Sequence, residues 1–505
     1  MSMLSISDTG VQAPCPSPFN FARHVLAGAK GREAKTALEV MSHDHDESWT
    51  FGALEQAVRG IGTGLLEAGL REGDIVLLRL GNHVSFPLAH LAAIAVGLVP
   101  VPTSAQLTEG EVSKMINELS PAAVIVGEGI TCPEGDFLRL TETQMQAMHV
   151  LAPCDFSMGD PDRLAYIVYT SGTSGKPRAV MHAHRAVWAR QMMIRDWYEL
   201  SDSDRLCHAG AFNWTYTLGT GLMDPWSVGA TALIPAEGVM PEQIAGLMKA
   251  HKATIFAAAP GVYRKMLKSG NALDLPDLRH GLSAGEKLSE TIRQDWRAAT
   301  GCEIYEAFGM SECSTFLSSS PSRPATNASL GHAQNGRCVA IVGDDGPLPR
   351  GETGQIAIHH QDAGLMLGYF GAEAETRQRF QGDWFLTGDL GVMHEDGQIA
   401  YKGRADDMMN AGGYRVSPVE VEQALQGFAG LTALAVTDVE VKADVRVIGC
   451  FYTSESDVDE AALKAFAQAT LAAYKQPKLY RRLDSLPTGP NNKIRRAALK
   501  TLTLK

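Results

Sequence analysis

Nothing in this sequence is suited to crossing a membrane or to directing secretion. The one candidate apolar run, Val84 to Pro102, is broken by Pro87, His90, Gly97, Pro100 and Pro102, whereas a span needs about 20 predominantly apolar residues. A buried helix running into a strand is expected there instead. The N-terminus from Met1 to Pro18 is polar and lacks the basic stretch and apolar core of a signal peptide, so a cytoplasmic location is expected. Cysteine is sparse, with eight residues (Cys15, Cys132, Cys154, Cys207, Cys302, Cys313, Cys338 and Cys450) and no CxxC pair or Cys/His cluster of zinc-finger type. Reduced, mostly buried thiols follow. Long like-charge runs are missing, and the net charge of -12 argues against general nucleic-acid binding, so any phosphate must be held locally. Low-complexity tracts and solenoid repeats are absent too.

What is present is a chain of 505 residues, 45% hydrophobic and 20% charged, enough to bury a sizeable core. Helical patterns alternate with short strand-like runs over the first 300 or so residues: Leu54 to Ala68 (helix), Asp74 to Leu80 (strand), Phe86 to Val96 (helix), Ala122 to Val126 (strand), Glu242 to Ala250 (helix) and Thr254 to Ala257 (strand). This alternation predicts an α/β fold with parallel sheets, whose ligands sit beyond the carboxyl ends of strands. From Asn335-Gly336 turn signals multiply around short strands such as Gln355 to Ile358 and Gln398 to Tyr401, predicting a β-rich layer. The charged segment Gly403-Arg404-Ala405-Asp406-Asp407 reads as a linker. Beyond it, helix Val419 to Leu425, strands Leu434 to Asp438 and Val445 to Tyr452, and helix Glu460 to Ala473 predict a small α+β domain. The expected division is therefore 1–403 and 404–505.

The densest motif is Tyr169-Thr170-Ser171-Gly172-Thr173-Ser174-Gly175-Lys176-Pro177, directly after the strand-like run Leu164 to Val168. Glycines and small hydroxylated residues let backbone N–H groups approach polyphosphate oxygens, and hydroxyls and one lysine add donors and charge. A Gly/Ser hairpin turn is the plainer alternative. The motif is not a Walker A loop, because only two residues separate Gly172 from Gly175 and Pro177 follows Lys176. A second motif, Gly281-Leu282-Ser283-Ala284-Gly285, matches the nucleophile elbow G-x-S-x-G. An elbow needs a later carboxylate and histidine, and His332, His359, His360 and His394 stand in no motif of their own.

With Tyr305-Glu306-Ala307-Phe308-Gly309-Met310-Ser311-Glu312, Thr387-Gly388-Asp389, Gly403 to Glu422 and Leu486 to Arg496 following in order, the chain resembles the adenylate-forming acyl-CoA synthetases. That group includes acyl-CoA ligases, aryl ligases, carrier-protein-loading adenylation domains and firefly luciferase. The resemblance runs from about Tyr169 to the C-terminus. It implies a large adenylation domain (1–403) and a small, mobile C-terminal lid (404–505). It also implies an ATP-dependent acid–CoA ligase that makes an acyl-AMP, releases pyrophosphate and passes the acyl group to CoA, with Mg²⁺ offsetting phosphate charge.

By that resemblance Thr170, Ser171, Gly172, Thr173 and Lys176 hold the β- and γ-phosphates, and Glu312 binds Mg²⁺. Phe308 stacks on adenine against a wall of Gly285, Glu286 and Lys287, with Glu306, Gly309 and Ser311 in the same nucleotide motif. Asp389 accepts hydrogen bonds from the ribose and Arg404 contacts ribose or phosphate. Asp406 is the hinge, and Lys493 bridges the carboxylate and the α-phosphate in the adenylating state. The family's glycine before that lysine is Asn492 here, and Asn also tolerates left-handed backbone. The acyl pocket falls on the loop Ala211 to Gly219, with Phe212, Trp214 and Tyr216, together with Ala284, Gly309, Met310 and Thr315. Aromatic walls and glycines suit a planar ring or a short chain, and the region looks most like benzoate- and aminobenzoate-type CoA ligases, then medium-chain synthetases. Core packing is the alternative for Trp214 and Tyr216. Gly412, Gly413, Tyr414 and Arg415 resemble the loop lining the pantetheine tunnel, and Lys475 and Lys478 are candidates for CoA phosphates. The partners expected are thus a small carboxylic acid, ATP and CoA, with no nucleic acid and with a homodimer left open. A carrier protein as acceptor and a non-catalytic nucleotide-binding scaffold are the rivals.

Overall fold

The computed structural model describes residues 3–10, 13–43, 46–170, 177–270, 272–326, 329–405, 407, 409–411, 414–442, 445–471, 473–489 and 494–502. They pack as two compact units, one of Asp8–Cys338 with His359–Asp383, the other of Met1–Ser7, Val339–Ile358 and Trp384–Lys505.

The larger unit is organised by a nine-stranded sheet of described strands. Its centre is parallel, running Thr36–Met41, Thr231–Pro235, Arg205–His208, Ile255–Ala258, His280–Ser283 and Ile304–Met310. Antiparallel strands close both sides: Glu47–Thr50 at one, Ser314–Ser318 and His332–Ala333 at the other. The central strands are largely buried on both faces, as parallel strands covered by helices are. A four-stranded parallel sheet carries Val99–Pro102, Ile75–Arg79, Ala123–Val126 and Leu138–Thr141. Pro100 and Pro102 sit on its edge strand, where no ladder donor is missed.

Helix Phe51–Glu67 starts where the Thr50 hydroxyl accepts from the Ala53 amide, and it buries Leu54, Val58, Ile61 and Leu65 at helical spacing. The run Val84 to Pro102 becomes helix Ser85–Ala95, buried along its whole length, and then strand Val99–Pro102. No described helix is long and apolar enough to cross a membrane. All eight cysteines are free.

In the smaller unit, Cys338–Gly343, Thr353–His359, Trp384–Met393 and Ile399–Arg404 lie side by side in one sheet. Farther along, Ala433–Lys442 and Val445–Thr453 pair antiparallel, and Leu479–Arg482 joins in parallel. Helices Pro418–Leu425 and Glu460–Thr470 cover them, burying Val421, Leu425 and Leu463. The second helix stops three residues before the predicted Ala473, because Leu471 is extended. Packing thus passes through Arg404, whose strand lies along Trp384–Met393. The 403/404 boundary concerns where the chain would turn and stands as a proposal about motion.

Candidate active site

The segment expected to meet the nucleotide forms a hairpin. Strand Ile304–Met310 carries Glu306, Phe308, Gly309 and Met310, strand Ser314–Ser318 returns, and Glu312 occupies the turn between them. The ladder shifts register between Phe308 and Gly309. A Cβ on Gly309 would lie 2.2 Å from the Ser314 carbonyl oxygen and 2.4 Å from the Thr315 Cα, so only glycine fits. Ser314 is left-handed, with φ 59°, a conformation costing about 1–3 kcal/mol outside glycine. Its hydroxyl accepts from Arg190 at 2.8 Å, and Arg190 is in turn held by both Asp224 oxygens at 2.6 Å.

Glu312 is fixed from one side. The Tyr369 hydroxyl donates to its carboxylate at 2.7 Å, and the Met366 amide donates to its backbone carbonyl at 2.7 Å. Burial and the Glu312 charge push the Tyr369 phenol well above its usual range, so it stays a donor. Tyr369 pairs with Val180 on strand Arg178–Ala183, which pairs antiparallel with Leu164–Thr170, and Thr170 lies opposite Arg178. The phosphate motif therefore departs from and rejoins the same sheet that carries the partner of Glu312. Its residues Ser171, Gly172, Thr173 and Lys176 lie outside the described residues. His182 Nε2 donates to the Ser311 carbonyl at 2.8 Å while its ring stacks on Tyr166, and burial lowers its pKa to about 4.

Of the expected adenine wall, Gly285 and Lys287 are exposed and Glu286 is half-buried. Gly285 takes φ 90°. Glu306 is buried and accepts from the Leu288 amide at 3.0 Å, with Arg293 3.4 Å away. Burial raises its pKa. Its carboxylate therefore ties the end of the Gly285–Leu288 loop to the nucleotide hairpin. Phe308 is half-buried, with Phe316 edge-on at 5.6 Å. Ser283, the centre of the elbow-like motif, is fully buried in strand His280–Ser283, its hydroxyl without a partner among the described residues. A hydrolase nucleophile has to stand exposed on a strand-to-helix turn.

The segment read as a loop from Ala211 to Gly219 turns helical at Thr215 and becomes a π-helix over Thr217–Met223. Phe212 is 1% exposed and belongs to the main core. Trp214 and Tyr216 are half-buried, their rings 5.1 Å apart and perpendicular. Tyr216 packs against the cluster that contains Ala257, Leu282, Ala284 and Ala307. Met310 is half-buried. Sequence reasoning missed Tyr369, Arg190 and His208, which reach these segments from elsewhere in the chain and carry no local signature.

In the smaller unit Asp389 accepts from Arg404 at 3.0 Å and from the Tyr401 hydroxyl at 3.2 Å, and Arg404 also donates to the Thr387 carbonyl at 3.2 Å. Gly388 is left-handed, with φ 76°. Lys475 pairs with Glu420. Arg496, three residues past Lys493, makes a two-pronged contact with Glu422 at 2.6 and 2.8 Å. Asp406, Gly412, Gly413 and Lys493 lie outside the described residues, as do the side chains of Tyr414 and Arg415.

A family model described as "AMP-binding enzyme" matches residues 26–370. A benzoate–CoA ligase of Thauera aromatica is 26% identical, over 99% of this chain and 100% of its own. A 4-hydroxybenzoate–CoA/benzoate–CoA ligase of Rhodopseudomonas palustris is 28% identical, over 94% of this chain and 92% of its own. The crystal structure of a benzoate CoA ligase from Burkholderia xenovorans LB400 matches with a TM-score of 0.84 at 28% identity, covering 95% of this chain and 100% of that one.

Proposed function

The chain belongs to the AMP-binding enzymes, and from that premise we propose that it is an ATP-dependent acid–CoA ligase acting on an aromatic, benzoate-like acid. Short- and medium-chain acids are the second class. One observation carries this reading: a carboxylate at a hairpin tip, Glu312, held at 2.7 Å by Tyr369 from the sheet whose strands flank the phosphate motif.

The reaction would run in two halves. A substrate carboxylate oxygen attacks the α-phosphate of ATP, pyrophosphate leaves, and an acyl-AMP remains. The CoA thiol, losing its proton, then attacks the acyl carbon and AMP leaves. ATP and CoA are the substrates common to CoA ligases of this family.

Mg²⁺ suits the donor set, since it is commonly bound through one or two carboxylates plus substrate phosphates and Glu312 offers one oriented carboxylate. Bound there, it would neutralise phosphate charge. The chain's own residues would do the rest. Thr170, Ser171, Gly172, Thr173 and Lys176 would cradle the phosphates. Phe308 would hold adenine against Gly285, Glu286 and Lys287, with Glu306 keeping that loop in place, and Gly309 and Ser311 shaping the hairpin. Asp389, oriented by Arg404 and Tyr401, would take the ribose hydroxyls. Lys493 would offset charge between carboxylate and α-phosphate. Asp406 would be the hinge, and Gly412, Gly413, Tyr414, Arg415 and Lys475 would serve CoA, Lys475 by exchanging Glu420 for a phosphate. Ala284, Met310, Trp214 and Tyr216 would wall the acid, with Phe212 behind them. We place the reaction in the cytoplasm, in keeping with eight free cysteines, and retain a homodimer as a proposal for light scattering.

Pyrophosphate release from Mg-ATP is the test, across benzoates, phenylacetates and fatty acids with and without CoA. CoA-dependent release with a narrow set of acids is expected. Release without CoA stimulation would transfer the acceptor role to a carrier protein, and silence with retained ATP binding would leave a scaffold. Lys493→Ala should abolish release but spare thioester formation from supplied acyl-AMP. Equal loss in both halves would remove Lys493 from the adenylating step.

A further inference from the structure

Beside the proposed acyl wall, one buried and one half-buried side chain have buried polar atoms with no partner among the described residues. His208, at the end of strand Arg205–His208, is fully buried, and its Nε2 has no partner. The Tyr216 hydroxyl is also buried without a partner. The two rings meet edge to face, 4.5 Å between centroids, and Trp214 approaches Tyr216 at 5.1 Å and His208 at 6.0 Å. Leaving such groups unpaired costs roughly 1–3 kcal/mol each, and buried polar groups are seldom orphaned without a reason.

The polarity of the pair can be worked out. The Gly210 amide, which can only donate, points at His208 Nδ1 at 3.0 Å, and Thr217 Oγ1 lies 3.2 Å from the same nitrogen. Nδ1 is therefore an acceptor. Burial lowers the pKa of the ring to about 3, so at neutral pH it is uncharged and its single proton sits on Nε2. The orphan atom of His208 is a donor. The Tyr216 phenol, raised well above its usual range by burial, keeps its proton and is a second donor. No described carboxylate or carbonyl answers either of them. The ring of His208 occupies space that two glycines leave open. A Cβ on Gly210 would lie 2.9 Å from its Cε1, and one on Gly221 2.7 Å from its Cβ.

Two fixed neutral donors at an aromatic wall complement an oxygen acceptor. A hydroxyl fits best, since it can accept from Nε2–H and still exchange a hydrogen bond with the phenol. An aromatic amine fits poorly, because its nitrogen lone pair is spread into the ring and it offers mainly donors to donors. A second carboxylate fits poorly too, since Arg190, the guanidinium whose charge acts on Tyr216, is already paired with Asp224. Resting on the ligase reading above, we propose that His208 and Tyr216 select an aromatic acid bearing a ring hydroxyl, with the substituent seated between Nε2–H and the phenol.

The test is pyrophosphate release from Mg-ATP for benzoate and its 2-, 3- and 4-hydroxy, amino and methyl derivatives. The wild-type protein is compared with Tyr216→Phe, which removes one oxygen and keeps the ring. For one hydroxy isomer, kcat/KM should exceed that of the matching amino and methyl acids by about 10-fold or more, the scale of one to two buried hydrogen bonds. In Tyr216→Phe the hydroxy-to-methyl ratio should fall at least about 5-fold, through KM more than kcat. His208→Phe should lower the same ratio, and wild-type selectivity decides the matter should that variant fail to fold. Activation of several acids with no preference for a hydroxyl, or a ratio unmoved in Tyr216→Phe, would overturn this inference and leave the ligase reading standing. Silence with every acid would overturn both.

Discussion

Replacing Tyr369 by Phe removes one oxygen from the surroundings of Glu312 and nothing else. The ring still fills the same space, and the Tyr369 amide keeps its bond to Thr376. What is lost is an O–H donor 2.7 Å from a carboxylate. A hydrogen bond to a charged acceptor is worth about 1.5–3 kcal/mol net, and losing a partner that orients a metal ligand usually weakens metal binding by about 10–100-fold. The expected outcome is a rise of about 10-fold or more in the Mg²⁺ concentration for half-maximal pyrophosphate release. Turnover at saturating Mg²⁺ should fall much less. Because the Tyr369 phenol is held well above neutrality by burial and by Glu312, the defect should be constant across the neutral pH range. Mn²⁺ titration by electron paramagnetic resonance, with a non-hydrolysable ATP analogue present, gives a readout free of turnover. Unchanged Mn²⁺ affinity alongside reduced turnover at every Mg²⁺ concentration would refute the reasoning, since Tyr369 would then act on something other than Glu312.

Asp389→Ala should raise KM for ATP by about 10-fold or more, the worth of a charged hydrogen bond. It should also make the enzyme indifferent to replacing ATP with its 2′,3′-dideoxy analogue; a variant that still discriminates would deny the ribose contact. The larger unit should lose stability on acidification. His90, His182 and His208 are buried, and burial lowers them from 6.5 to about 3, 4 and 3. The unfolded chain therefore takes up protons near pH 6.5 that the native state refuses until about pH 3–4. Stability is full above about pH 6.5 and falls as pH drops from there towards 3–4, by up to about 1.4 kcal/mol per pH unit for each histidine. His90 has no hydrogen-bond partner for either ring nitrogen among the described residues, so His90→Phe should flatten the pH dependence of urea unfolding by about one proton between pH 6 and 4.5. Parallel curves for wild type and variant would count against it.

The elements legible in the sequence were those whose periodicity was long. Helix Phe51–Glu67 and the pair of helix Ser85–Ala95 and strand Val99–Pro102 fall within a few residues of where apolar spacing put them. Short elements decided by distant partners were not legible. The π-turns Ile194–Tyr198 and Thr217–Met223 have no periodic signature, because one extra residue per turn breaks the 3.6-residue spacing locally. Here that break sets Tyr216 and Thr217 against His208. A polar aromatic stretch such as Phe212-Asn213-Trp214-Thr215-Tyr216 reads as loop for the same reason.

The motifs themselves were legible because their chemistry is contiguous, yet a motif residue can be required for a cause other than the one its chemistry suggests. Gly309 was read as part of the nucleotide motif and of the acyl pocket, where a glycine leaves room for the ligand. The contacts assign its small size to the backbone instead, since a Cβ there would enter the Ser314 carbonyl. That close approach goes with the register shift at Phe308/Gly309 and with the left-handed Ser314 that Arg190 holds. Arg190 is joined through Asp224 to Tyr198, and through Thr220 to the π-helical wall. The turn that presents Glu312 and the segment that presents Tyr216 are thereby braced by one guanidinium, residue 190, far from both in sequence. Local sequence specifies which groups are proposed to meet the nucleotide, while their spacing is braced by a buried ion pair that no motif contains.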